Sequence, residues 1–168
     1  MAILNQQIRY KFLELLPIIL LFFISLNGNS IINFNFFSIN IHYILVYYWV
    51  LKRPQILGYG FIFLSGIITD VVLGLPLGVN ALTLIIIAAI ASYIRVVTVR
   101  VSLITDWVSF VFALLVANFI YFIALYLSNF EVNYLFLFKN SIFTSVLYPF
   151  FWIIFKLFSN LVRIDSHA

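Results

Sequence analysis

The chain contains no cysteine, which excludes disulfides and thiolate chemistry. Charge is almost as scarce: Asp, Glu, Lys and Arg make up 8% of the 168 residues, against roughly 25% in soluble domains. His42 is the one histidine outside the C-terminal tail, and a single His among scattered Asn residues makes no metal-ligand set. Gly58 and Gly60 are not followed by the Lys-Ser/Thr pair of a phosphate-binding loop. A membrane hydrolase needs converging acids, a Ser/His pair or a metal cluster, and no such constellation stands out. The expectation is a protein without enzymatic activity, cofactor or metal site. No internal repeat links the two halves, against an inverted-repeat transporter.

What the chain has instead is apolar surface. Hydrophobic residues reach 65%, where soluble domains hold about 45–50%. A soluble protein of this length could not hide that surface, whereas a bilayer accepts it on helix exteriors. Barrel strands would alternate apolar and polar residues, but these runs are apolar on every face, so the expected class is all-α. The formal charge of +4 comes from basic residues placed singly or in pairs beside apolar runs. That pattern fits membrane anchoring and gives no nucleic-acid footprint.

A crossing helix needs about 20 mostly apolar residues. Six runs qualify, over about 12–26, 31–51, 56–73, 77–94, 107–127 and 140–161, and they fill the chain as a single transmembrane domain, 1–168. Arg9 and Lys11 precede the first run as in a signal peptide. Asn27, Gly28 and Asn29 follow it without a small-x-small cleavage site, so it reads as a retained span. The second run is the weak one: Asn33, Asn35, Asn40 and His42 interrupt its first half, as in a re-entrant or interfacial segment. Charge placement nevertheless favours six crossings. With all six, Arg9, Lys11, Lys52, Arg53, Arg95, Arg100, Lys156 and Arg163 share one side and Lys139 alone takes the other, as the positive-inside rule requires. Both termini are then cytoplasmic, and the outer loops are Asn27–Ser30, Gly74–Pro76 and Ser128–Lys139.

Asp70 is the first candidate for a role. It lies late in the third run, about 21 Å from Ile56 at 1.5 Å per residue, where a carboxylate costs roughly 2.5–3.5 kcal/mol on insertion scales and must face protein. Gly66, Asp70 and Gly74 share one helical face, a small-residue strip that lets a neighbour approach closely. Leu75 and Pro76 form a turn that returns Asn80 to the depth of Asp70. The two residues lock a hairpin, with a partner surface or an ion pathway as the alternatives. Lys52, Arg53 and Pro54 after Tyr47, Tyr48 and Trp49 read as topology anchors or, more sharply, as a docking site. Asp106, after Ser102 and Thr105, reads as an acid at a helix N-terminus. Asn118 reads as an interhelical hydrogen bond.

The order Tyr48-Trp49, Pro54, Gly58, Gly66, Asp70, Gly74, Pro76-Leu77-Gly78 and Asn80-Ala81-Leu82 resembles the signature region of the MreD family of bacterial rod shape-determining membrane proteins. Total length, the short basic N-terminus and the late stretch Tyr148-Pro149-Phe150-Phe151-Trp152 are also similar. The resemblance implies a six-helix bundle like the substrate-binding subunits of energy-coupling-factor transporters. It also implies an inner-membrane scaffold in cell-wall elongation, supporting lateral peptidoglycan synthesis. The implied partners are MreC and, through it, MreB filaments, RodA and penicillin-binding protein 2, besides membrane lipid. No catalytic residues are implied. Tyr48, Trp49, Pro54, Gly66, Asp70, Gly74, Gly78 and Asn80 are the partner or packing candidates, and Tyr48, Trp49, Pro54 and Asp70 are expected to organise a surface for a single-pass partner. The competing expectation is a small-molecule-binding transporter subunit, with Asn33, Asn35, Asn40, His42 and Asn80 lining its pocket.

Overall fold

The computed structural model describes residues 15–27, 39–98, 102–130 and 134–164. They form six helices and no strands: α1 Leu15–Leu26, α2 Ile41–Lys52, α3 Tyr59–Leu73, α4 Val79–Val97, α5 Leu103–Leu127 and α6 Tyr134–Ile164. Three stretches are long and apolar enough to cross a membrane, namely α4, α5 and Leu137–Ser159 within α6. Arg9, Lys11, Asn33, Asn35, Arg100 and Glu131 lie outside the described residues.

The centre of the bundle is α2. Every side chain from Ile41 to Leu51 is buried, as in a helix enclosed by protein on all sides. It packs on α4 and α6, α4 packs on α5, and α5 on α6, which closes a four-helix ring; α3 lies against α4. α1 joins through a Phe22–Phe61 edge contact to α3 and a Ser25–His42 hydrogen bond to α2. Ala81, Ala88 and Ala91 of α4 and Ala113 and Ala117 of α5 are fully buried; such small side chains let helix backbones approach where no hydrophobic effect drives association.

Several boundaries differ from the sequence reading. The run drawn from residue 31 is helical, within the described residues, only from Ile41, because Ile39 and Asn40 stay non-helical. Twelve residues at 1.5 Å each give about 18 Å, short of the roughly 30 Å hydrocarbon layer. The third helix starts at Tyr59 rather than 56, since Arg53–Leu57 turn after Pro54, with Ile56 N–H donating to Arg53 carbonyl at 3.1 Å. The fifth begins at Leu103 because Ser102 caps it, its Oγ accepting from Thr105 N–H at 3.2 Å. The sixth begins at Tyr134, which moves Lys139 from a loop into a helix.

α3 and α4 pack tightest at Gly66, where a Cβ would lie 2.3 Å from Ala81 Cα and 2.6 Å from Ala81 N. Those atoms are backbone and cannot rotate away. Gly66→Ala is therefore expected to force the hairpin apart, cost about 1–3 kcal/mol and lower the thermal midpoint in detergent. An unchanged midpoint would show that this contact does not set the helix spacing.

Candidate functional site

Polar side chains gather at two opposite ends of the bundle. At the end where α3 turns into α4, Gly74 closes α3 in the left-handed conformation (φ 63°). Leu75 N–H donates to Asp70 carbonyl at 2.9 Å and Gly74 N–H to Val71 carbonyl at 3.3 Å, the paired bonds of a Schellman ending. Gly78 is also left-handed (φ 99°), so both glycines occupy backbone that a side chain would strain. The chain then re-enters as α4 with its first N–H groups facing Asp70. The fully buried carboxylate accepts from Gly78 N–H at 2.8 Å, from Asn80 N–H at 2.9 Å and from Asn80 Nδ2 at 2.9 Å. An acid on one helix thus caps the start of the next, where free N–H groups and the dipole favour negative charge.

At the other end, Asp106 is 1% exposed and holds three helices together. Its Oδ2 meets Lys52 Nζ of α2 at 2.8 Å and accepts from Trp152 Nε1 of α6 at 2.9 Å. Lys156 stands 4.6 Å over the Trp152 ring, a cation–π distance. The helix-capping role expected of Asp106 belongs to Ser102. Asp106 sits one turn further on, turned inward, and Lys52 is its counter-ion rather than a free interfacial charge. Tyr47 of α2 adds a hydroxyl bond to Ser109 Oγ of α5 at 2.7 Å.

A third junction depends on Pro149. Proline has no N–H to give the carbonyl four residues back, and here that carbonyl, Ser145, accepts from Trp107 Nε1 at 2.9 Å instead. The gap in α6 thereby becomes a tie to α5. Above it, Tyr148 stacks on Phe110 at 4.2 Å, and its hydroxyl is the one buried side-chain polar atom without a partner among the described residues.

Tyr48 and Trp49 do not form an exposed docking surface. Each is 2% exposed, and they pack edge-to-face on each other and against Phe155 and Phe158 of α6. Burial removes them, and Asp70, from direct contact with a partner; Pro54 is half-buried in the turn after α2. The structure does bring together a Ser/His pair that the sequence reading did not see. Ser25 Oγ lies 3.1 Å from His42 Nε2, yet Ser25 already donates to Leu21 carbonyl at 2.9 Å, and both residues are buried. Of the residues expected to line a pocket, the backbone N–H of Asn40 donates to Thr144 Oγ1, His42 meets Ser25 and Asn80 meets Asp70; Asn33 and Asn35 lie outside the described residues.

A concave feature of the described residues lies elsewhere, between α5 and α6. An open, almost wholly apolar groove of about 420 Å³ is lined by residues including Phe119, Phe138, Ile142 and Val146. Asn118 and Ser141, joined by a 2.8 Å hydrogen bond from Asn118 Nδ2 to Ser141 Oγ, and Ser145 are its polar lining.

Two substitutions test the paired acids. Asp70→Asn keeps the shape but places an NH₂ group against N–H donors, and is expected to cost about 1–3 kcal/mol. Asp106→Leu strands Lys52 and Trp152. About 3 kcal/mol is expected, the low end for a broken buried pair, because the Lys52 side chain is 24% exposed. Lys52→Met in the same chain should recover part of that loss. Thermal unfolding in detergent measures all three, and wild-type stability in either single variant would refute the corresponding role.

Compared with protein-family patterns, with curated proteins and with solved structures, the chain finds no match in any of the three. The likeness to the rod-shape family therefore rests on the residues quoted for it.

Proposed function

We propose that the chain is a non-enzymatic membrane scaffold of the bacterial elongation machinery, supporting rod shape and lateral peptidoglycan synthesis. It acts through MreC and the wall synthases RodA and penicillin-binding protein 2, with MreB filaments in the same complex. In this reading the protein lies in the inner membrane with six crossings and both termini in the cytoplasm, in a bundle like the substrate-binding subunits of energy-coupling-factor transporters. The short α2 is enclosed by other helices, so its polar entry at Asn40 and His42 need not meet lipid.

The observation that carries the reading is how the polar groups are used. Asp70 is spent on the α3–α4 turn and Asp106 on joining α2, α5 and α6. Both acids hold helices in place, while an apolar groove opens between α5 and α6. That division supports a rigid body that works through contacts in the membrane plane.

Affinity purification from native membranes in mild detergent, followed by mass spectrometry, tests the proposal. MreC together with RodA or penicillin-binding protein 2 is expected to co-purify. Recovery of transporter ATPases without wall-synthesis proteins would overturn it in favour of a ligand-binding subunit.

A further inference from the structure

The α5–α6 groove lies along two of the helices long enough to cross a membrane, so its mouth opens sideways. Its rim is exposed, with Phe119 at 65% and Val146 at 63%. Its lining is almost wholly apolar, with Asn118, Ser141 and Ser145 as its polar members. Asn118 uses Nδ2 on Ser141, and among the described residues nothing bonds its Oδ1 or the hydroxyl of Ser145. Asn118 stands nine residues, about 14 Å, from the Leu127 end of α5, within hydrocarbon depth. An amide end left open there lacks water to satisfy it. One turn of α6 from Ile142, exposed Lys139 has no acidic partner among the described residues.

These features discriminate between occupants. An acyl chain fills apolar space but offers Asn118 no hydrogen bond. A second copy using the same face would set groove against groove, and two concavities cannot fill each other in a self-complementary interface. A helix supplies both the ridge that fits between two helices and a polar side chain at mid-membrane, and its flanking residues can carry charge.

We propose that the α5–α6 groove receives one transmembrane helix of a partner protein, which brings a hydrogen-bond donor to Asn118 and an acidic residue to Lys139. The inference deepens the scaffold reading and rests on it for the partner being another membrane protein.

Photo-cross-linking in native membranes tests it, with benzoylphenylalanine placed in the full chain at Phe119 or Ile142 in the groove, or at Phe63 on α3 as a control. Adducts are expected from the two groove positions, with the linked peptide mapping to a membrane span that bears a donor side chain and a flanking acid. Asn118→Leu should lower their yield about threefold, the worth of one interhelical hydrogen bond. Val146→Trp, which fills the groove and leaves Asn118 alone, should lower it about tenfold. An unchanged thermal midpoint establishes that each variant folds; Ser141 keeps its own bond to Leu137 carbonyl at 2.7 Å. Adducts at twice the chain's mass, lipid adducts alone, or equal yields from groove and control would overturn the proposal. The scaffold reading fails separately. MreC co-purifying with no groove adduct would overturn the groove and leave the scaffold, whereas a groove adduct to a helix outside wall synthesis would do the reverse.

Discussion

A carboxylate removed from water must be met by donors or cations, or it does not stay removed. Two such groups organise this bundle from opposite ends. Asp70 ties α3 to the start of α4, and Asp106 ties α5 to α2 and α6, so five of the six helices are held through two side chains. Apolar packing sets the spacing between helices, as Gly66 does against Ala81. Directional bonds at both ends fix the register that the aromatic cluster of Tyr47, Phe110 and Tyr148 then fills.

The hairpin was legible because its chemistry is local. Gly66, Asp70, Gly74, Gly78 and Asn80 fall within fifteen residues, and each has a recognisable reason to be where it is. Asp106 was not legible, because its donor Trp152 lies 46 residues away and no spacing rule connects them. The neighbouring α5–α6 tie has a local signal on one side only. Pro149 frees the carbonyl of Ser145, and an indole elsewhere was available to bond it.

The helix in the second run starts later than its apolar residues suggest, for a different reason. Hydropathy reports whether a segment prefers leaving water, not whether its neighbour will be lipid or protein. Asn40 and His42 weaken the run as a lipid-facing span. They are ordinary in α2, whose polar entry is met by Thr144 and Ser25. Tyr48 and Trp49, read as interfacial anchors, likewise turn out to be buried against other helices.

The two acids also differ in when they can be satisfied as the chain is made. Asp70 finds Asn80 only ten residues on, so its carboxylate is hydrogen-bonded as soon as one helical hairpin has formed. Loop closure over such a short distance is fast and inexpensive in entropy. Asp106 has no indole partner until α6 has been synthesised. Between those moments α2 and α5 carry an incomplete polar junction, which α6 completes.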